Sequence, residues 1–370
     1  MNAPDVIVVG AGIVGAACAW RLTQRGLRVT LVDDGRPGAT AAGMGHLVCM
    51  DDNPAELTLT AWSLALWRDI LPQLPDNCAW RDCGTLWLAQ QPDELEEAER
   101  KRQRLADVQV ACEPLCASAL TAREPALGAG LAGGLWVPGD GIIYAPNVAR
   151  WFIEQSGERL THITGEVIAL EEPWLQLRDG RRLQAPAILL ACASGANELL
   201  AEQWLRIKKG QLAITDRYPA RLSHQLVELG YAASAHAPDG KSVAFNLQPR
   251  PTGQLLIGSS REYDNPDSHP DPVLLAAMLR RACDFLPWLA DLNLIRCWSG
   301  FRSASPDGQP LLGPHPHRPG VWLALGHEGL GVTTAPGTAW LLADQITGNR
   351  PDIDAAPWLA SRLNRQEVNA

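Results

Sequence analysis

The amino-terminal part of the chain reads Val6-Ile7-Val8-Val9-Gly10-Ala11-Gly12-Ile13-Val14-Gly15. Its first four residues form an uninterrupted β-branched run, a pattern typical of a parallel strand buried on both faces. The apolar spacing that follows predicts a helix over Ile13–Arg25, ended by Gly26 as a C′ glycine. A second strand is predicted over Arg28–Asp33. The segment is therefore predicted to form a β-α-β unit that begins a parallel α/β sheet.

The glycines of this segment have the spacing G-x-G-x-x-G between a strand and a helix. Gly10 permits a tight turn, Gly12 lets the backbone approach a pyrophosphate, and Gly15 allows the helix to pack closely on the strand. The helix N-terminus offers N–H groups and positive potential to the phosphates. Asp33 follows Gly15 by 18 residues, close to the spacing of about 20 for an acid that binds ribose hydroxyls. The pattern predicts a dinucleotide site, against the alternative of a glycine turn beside a solvated aspartate.

The same fingerprint serves NAD and FAD, and the residues after Asp33 favour FAD. They read Gly35-Arg36-Pro37-Gly38-Ala39-Thr40-Ala41-Ala42-Gly43-Met44-Gly45-His46, which is rich in small side chains. A backbone of this kind can pass closely beneath a flat isoalloxazine ring. A nicotinamide dehydrogenase would more often run directly into another helix.

Composition limits the classes of function that the chain can have. With 370 residues, 46% of them hydrophobic and 20% charged, two globular domains are expected. A net charge of −9 argues against a nucleic-acid groove or a polybasic membrane anchor. No apolar run approaches the roughly 18 residues of a membrane span, and no basic leader is present. Nine cysteines without a Cys-x-x-Cys motif are typical of reduced thiols, so we expect a cytoplasmic protein, or one peripheral to the inner membrane through a partner.

Further elements are predicted from patterning along the rest of the chain. Three helices are predicted, at Asp93–Arg104, Leu274–Phe285 and Thr334–Thr347. The predicted strands comprise an antiparallel pair, one buried strand and three strands of a second sheet, namely Glu166–Leu170, Trp174–Leu177, Ala187–Cys192, Gln211–Asp216, Val243–Leu247 and Gln254–Gly258. No segment is a free linker, so the two domains are expected to interleave along the sequence.

The chain resembles the D-amino-acid oxidase superfamily of FAD-dependent amine oxidoreductases, in its glycine/sarcosine oxidase branch. Besides the fingerprint and the loop Gly43–His46, the resemblance rests on six segments, namely Ile188–Ala196, Lys209–Gln211, Gln254–Gly258, Gly300–Arg302, Pro306–Pro310 and Gly326–Gly331. It implies a doubly wound Rossmann-type FAD-binding domain interleaved with an α+β substrate domain that has an antiparallel sheet. The FAD-binding domain is then expected at 1–80, 142–204 and 298–370, and the substrate domain at 81–141 and 205–297.

The resemblance also implies how the cofactor is bound. The expected cofactor-binding residues are Gly10, Gly12, Ile13, Val14, Gly15, Asp33, Asp34, Gly43, Met44, Gly45, His46, Val167, Ala193, Gly300, Arg302, His327, Glu328, Gly329, Leu330, Gly331, Val332 and Thr333. A helix N-terminus after His327 would stabilise negative charge on reduced flavin. The stretch Gly300–Arg302 has no counterpart of the cysteine through which sarcosine oxidases attach flavin, so FAD is expected to bind non-covalently.

Arg302 is the residue that the resemblance assigns to catalysis and substrate binding, because its planar fork can grip an amino-acid carboxylate. Asn246, Tyr263 and Tyr231 are further candidates to line the substrate pocket. Glycine oxidases often have an aromatic hydroxyl where this chain has Asn246. In the implied reaction, hydride leaves Cα for flavin N5, and positioning replaces a strong side-chain base.

The segment from Gly326 to Gly337 is most like the flavoprotein subunits of heteromeric dehydrogenases, which include D-hydroxyproline dehydrogenase and hydrogen cyanide synthase. The resemblance therefore implies oxidation of D-hydroxyproline, or a related D-amino or imino acid, to its imine. In those dehydrogenases the iron–sulfur centres lie on other subunits, so the resemblance implies iron–sulfur partner subunits; this chain has no four clustered cysteines to hold a centre itself. Two alternatives stay open, namely a glycine/sarcosine-type oxidase that forms hydrogen peroxide and an FAD-bearing scaffold subunit.

Overall fold

The structure is a computed structural model, and it describes residues 3–230 and 240–363. Its strands are β1 (Val6–Val9), β2 (Val29–Asp33), β3 (His46–Leu47), β4 (Thr85–Ala89), β5 (Glu113–Cys116), β6 (Gly133–Val137), β7 (Gly141–Ile142), β8 (Leu160–Thr164), β9 (Val167–Glu171), β10 (Trp174–Leu177), β11 (Arg182–Gln184), β12 (Ala187–Leu190), β13 (Arg206–Thr215), β14 (Gln225–Glu228), β15 (Lys241–Pro249), β16 (Leu255–Tyr263), β17 (Leu294–Ala304), β18 (Leu311–Pro314) and β19 (Val321–Leu325). Its α-helices are α1 (Ile13–Gln24), α2 (Ala39–Ala42), α3 (Pro54–Ile70), α4 (Glu94–Asp107), α5 (Ala117–Arg123), α6 (Ala145–Gln155), α7 (Ala196–Leu200), α8 (Pro272–Phe285) and α9 (Gly331–Ile346).

A six-stranded sheet forms the first layer, in the order β18-β19-β12-β1-β2-β8. Neighbours pair in parallel except for β18, which runs antiparallel to β19. All four residues of β1 are buried, as the β-branched run predicts. Helices α1, α6, α9 and α3 pack together beside this sheet, around a core that includes Trp20, Trp67 and Phe152.

An eight-stranded sheet forms the second layer, in the order β17-β13-β16-β15-β14-β4-β6-β5. Its pairs are antiparallel apart from β14 with β4. The α/β fold with an antiparallel second sheet is therefore confirmed. The domain limits stay a prediction, and the one at residue 298 falls within β17.

Several element limits differ from the sequence prediction. Helix α9 begins at Gly331, three residues before the predicted start at Thr334. Glycine is tolerated at this position because it lies in the first turn, where no earlier helical turn precedes it. Strand β13 begins at Arg206 rather than Gln211, since ten residues pair with β17 and polar side chains do not interrupt a ladder of backbone hydrogen bonds. No described helix is both long and apolar enough to cross a bilayer.

The candidate site lies at one edge of the first sheet, where the parallel strands end. Gly10 follows β1, Asp33 ends β2, Ala191 follows β12 and Gly326 follows β19. Because the carboxyl ends of parallel strands share an edge, these residues meet there, where open α/β sheets bind their ligands. The second sheet covers the inner end of the same region.

Candidate cofactor and substrate site

A cavity of about 830 Å³ lies at the carboxyl edge of the parallel sheet. Gly10 has a φ of +103°, and a Cβ there would lie 2.6 Å from the carbonyl oxygen of Ala191. A Cβ on Gly15 would lie 1.9 Å from the carbonyl oxygen of Gly10. Neither contact is sterically possible, so the turn and the approach of α1 both require glycine.

Asp33 is fixed at the rim of this cavity by the backbone. Its Oδ2 accepts a hydrogen bond from Ala11 N–H at 2.7 Å, and its Oδ1 accepts one from Gly35 N–H at 2.7 Å. Each carboxylate oxygen has a further lone pair for a ribose hydroxyl. Thr40 lies over the helix end, where its hydroxyl accepts from Ile13 N–H at 3.0 Å.

A second cavity of about 150 Å³ continues inward between the small-residue loop and the large sheet. A Cβ on Gly300 would lie 2.3 Å from the Cβ of Ala42, so glycine lets β17 lie directly on the loop. Trp298 Nε1 donates to the Ala42 carbonyl oxygen at 3.0 Å and holds the loop in place. This second cavity, called the ring space below, is bounded by backbone and small side chains on the loop side, as a flat ring requires.

The residues present fit FAD. The larger cavity has a volume in the range of cofactor sites and joins a helix N-terminus, a ribose-binding acid and a glycine cradle. Every expected cofactor-binding residue lines one of the described cavities except Gly15, which packs against Gly10 behind the turn. FAD would be held by these residues and would supply a two-electron acceptor. Their individual roles stay predictions.

A third cavity, of about 170 Å³, adjoins the ring space, and Arg302 borders both. Arg302 Nη1 donates to the Ser260 carbonyl oxygen at 3.3 Å. Its guanidinium lies directly over Gly210, where a Cβ would be 2.6 Å from Nη1, and beside Gly329. Because both neighbours are glycines, without a Cβ, there is room for the planar guanidinium to lie between them in the cavity.

Lys208 stands opposite Arg302 in the pairing of β13 with β17. Its buried Nζ donates to Glu328 Oε1 at 2.6 Å. Burial opposes ionisation of Glu328, but Lys208, Arg302 and Arg261 outweigh it and hold the pKa of that carboxyl below its ordinary value. The cavity thus contains a carboxylate among cations, and the Lys208 charge is compensated.

Glu56 borders the same cavity from the first turn of α3. Its Oε1 accepts from Asp52 N–H at 3.2 Å, while its own N–H donates to the Asn53 side chain at 2.9 Å, so it is part of the cap of the helix. Burial, followed by the nearby Asp52 charge, raises the pKa of Glu56 to about 8. Near neutral pH this carboxyl is therefore mostly protonated and able to donate a hydrogen bond.

His46 lies where the ring space meets the third cavity. Its Nδ1 is 2.7 Å from Gln225 Oε1 and 2.8 Å from Gln248 Nε2, so either neutral tautomer has a partner. Gln225 is held in turn by Thr85, whose hydroxyl donates to the buried Asp140 at 2.6 Å. Burial lowers the pKa of His46 to about 4. The ring is therefore neutral and rigidly placed.

His327 lies on the cofactor side of the site, beside the start of α9. Its Nε2 is 2.9 Å from the hydroxyl of Thr338. Burial lowers its pKa to about 4, so this imidazole is neutral as well. Neither histidine is poised near neutral pH to exchange a proton.

The structure separates the candidate substrate residues. Arg302 and Asn246 line the third cavity together. Tyr263 does not line it, but pairs with Lys208 across β13 and β16, with Lys208 Nζ 4.8 Å from its ring centroid. Tyr231 lies outside the described residues.

Sequence reasoning missed Lys208, Arg261, Glu56 and Trp87, all of which line this cavity. The signal for one of them was present. Lys208, Gly210 and Leu212 alternate along β13 and border the adjoining cavities, so a strand started at Arg206 would have placed Lys208 on the same face.

Comparison with known proteins agrees with this geometry. The model of the family of FAD-dependent oxidoreductases named DAO matches residues 5–345. Glycine oxidase of Pseudomonas aeruginosa is 30% identical over 97% of this chain and 99% of its own. The hydrogen cyanide synthase subunit HcnC of the same organism is 27% identical over 97% of this chain and 96% of its own. The crystal structure of glycine oxidase from Geobacillus kaustophilus superposes with a TM-score of 0.87 over 98% of this chain and 100% of its own, at 24% identity, which shows the shared fold.

The match covers the fingerprint, the loop and both sheets, which together form the site. The chain therefore belongs to the DAO family of FAD-dependent oxidoreductases.

Proposed function

We propose that the protein oxidises the Cα–N bond of a small amino or imino acid, with D-hydroxyproline as the first candidate substrate, and acts as a dehydrogenase. The observation that supports this most is the Arg302 guanidinium, which borders both the substrate cavity and the ring space. A carboxylate bound there in two parallel hydrogen bonds would place Cα next to the cofactor ring. Bound FAD, held non-covalently, would supply the acceptor for the hydride.

The cavity favours a substrate larger than glycine. Besides the charged groups, Val48, Met50, Trp87 and Val227 line it, and they would enclose an apolar ring or side chain. Its volume of about 170 Å³ is that of roughly five to six liquid waters. The neutral state of His46 and His327 is consistent with a reaction in which positioning does most of the catalytic work.

The electron acceptor is proposed to be a partner subunit that contains an iron–sulfur centre. The relative HcnC is itself named as a subunit. Among residues 3–230 and 240–363, no cluster of three His, Cys, Asp or Glu side chains could hold a metal ion. The 30% identity to a glycine oxidase favours the second candidate, an oxidase that makes hydrogen peroxide. The identity to HcnC leaves the scaffold subunit as a third.

The test is a screen of D- and L-amino acids, sarcosine and the hydroxyproline isomers, run with an artificial dye and with oxygen as acceptor. We expect the fastest turnover with D-hydroxyproline or a related imino acid, and with dye rather than oxygen. Hydrogen peroxide formed as fast as substrate is consumed, with no gain from dye, would identify the oxidase. A protein that retains FAD and oxidises none of these compounds would support the scaffold.

A further inference from the structure

We propose that Glu328 binds the amine of the substrate, with its Oε2 accepting a hydrogen bond from the substrate N–H while Arg302 holds the carboxylate. The inference rests on the proposed function, because it concerns how the same substrate is oriented. It adds a requirement that Arg302 does not impose, namely that the reacting nitrogen carries hydrogen.

The position of Glu328 is the first argument. Glu328 borders the large cofactor cavity, the ring space and the third cavity, which is the proposed substrate cavity, so it lies at their junction. Oε1 is engaged by Lys208. Among the described residues, the hydrogen bond that this carboxylate accepts is the one at Oε1, and 28% of the side chain is exposed at the cavity. A carboxylate oxygen in this place is available to a ligand.

The charge of Glu328 is the second argument. An amino acid bears a carboxylate and an amine one carbon apart, and a complementary site needs a cation beside an acceptor or anion. Glu328 precedes Gly329, and a Cβ built on Gly329 would lie 3.7 Å from Arg302 Nε. The side chains of Glu328 and Arg302 therefore start from adjacent positions on the cavity wall. Lys208 and Arg302 keep the Glu328 carboxylate ionised. The pair Arg302 and Glu328 therefore matches both ends of the substrate.

The backbone of Glu328 is the third argument. Its φ of +48° lies in the left-handed region, which glycine adopts without strain and other residues rarely adopt. Such strain persists at sites where a side chain is needed in one place. The residues around it, Gly326, Gly329 and Gly331, show that the loop otherwise uses glycine freely.

The variant Glu328→Gln is the principal test. Because Lys208 Nζ can only donate, it will hold the amide oxygen, and the amide N–H₂ will face the cavity in place of the acceptor. The double variant Lys208→Met with Glu328→Gln avoids an uncompensated buried lysine. Glu171→Gln is the matched control, since Glu171 is an exposed glutamate paired with Arg182 outside the site.

Two pairs of ligands separate the amine from the carboxylate. D-Proline is compared with cyclopentanecarboxylate, and glycine with acetate, and only the first of each pair carries an N–H. Affinity is measured under anaerobic conditions, from the concentration dependence of flavin reduction for the amino acids and from flavin absorbance changes for the acids. In both Glu328 variants we expect amino-acid affinity to fall by about tenfold or more, with no loss of carboxylate affinity.

The pH dependence of flavin reduction gives a readout that a structural role would not change. An ionised Glu328 favours the ammonium form of the bound substrate, whereas hydride loss needs the neutral amine. In Glu328→Gln the rise of the reduction rate with pH should therefore move to lower pH by about one to three units. Equal loss for both members of each pair, or loss of FAD alone, would overturn the inference. If the wild-type protein is reduced by no amino acid at all, the proposed function itself fails.

Discussion

The variant Gly210→Ala tests whether the position of the Arg302 guanidinium controls substrate binding. Gly210 lies in β13 beneath that guanidinium, and the new Cβ would be 2.6 Å from Nη1 and 2.9 Å from Cζ. Ordinary contact begins near 3.4 Å, so the planar group must move by about 1 Å. The moving atoms are the far end of a flexible side chain, and the backbone of the sheet need not shift.

A displacement of about 1 Å at a positioning group costs on the order of 100-fold in rate. We therefore expect kcat/KM for the best amino acid to fall by roughly that factor in Gly210→Ala. The thermal midpoint of unfolding should change little, and FAD should be retained, because Gly210 lines the ring space without forming the cofactor cradle. The assay is steady-state turnover with dye, together with the absorbance of bound flavin.

Gly139→Ala is the control, since its new Cβ would meet only Arg68 Nη2, at 3.9 Å, and Arg68 lines none of the three cavities. Its kinetics should match the wild type. If Gly210→Ala keeps wild-type kcat/KM with normal FAD content, the guanidinium does not position the substrate, and the assignment of Arg302 is refuted.

Three further results are expected. Arg302→Lys keeps the charge but loses the fork, so KM for the amino acid should rise about tenfold or more, while an amine analogue without the carboxylate is affected much less; equal effects on both would place Arg302 in the scaffold. Gly15→Ala puts a Cβ 1.9 Å from the Gly10 carbonyl oxygen, so the purified protein should lose FAD, and a fully yellow variant would contradict the cradle. Glu56 has a pKa raised to about 8 from 4.5, so the stability that its bound proton gives is complete below 4.5 and lost as pH rises to 8. The free energy of unfolding of Glu56→Gln should therefore gain on that of the wild type between about pH 5 and pH 8, by up to about 1.4 kcal/mol per pH unit, and a constant difference would show that Glu56 is ionised throughout.

The local elements of the fold followed from short-range patterns. The strand at Val6–Val9, the helix from Ile13 and the antiparallel pair at β9 and β10 lie where the sequence predicts them. Side-chain period and glycine position are properties of adjacent residues, so one chain segment carries the information. The position of the cofactor cavity at the carboxyl edge of the first sheet was also predictable from the sequence, because parallel strands bring their carboxyl ends together in any such sheet.

The substrate cavity depended on contacts between distant segments. Lys208 and Glu328 are 120 residues apart, and their pairing exists only because β13 lies against β17 and the loop before α9 returns to it. Tyr263 was expected in the pocket from its residue type, yet it pairs with Lys208 on the neighbouring strand and does not line the third cavity. No local pattern reports such distances.

The sequence by itself determined that this protein has a dinucleotide fold and binds FAD. Those properties depend on residue types at fixed short spacings, which backbone sterics and hydrogen bonding convert into one geometry. Only the tertiary structure decided which charges line the third cavity and which of them are compensated. The ionisation of Glu328 and the proton on Glu56 arise from burial and from neighbours that the fold brings in, because desolvation and Coulomb energy depend on distance in space rather than along the chain.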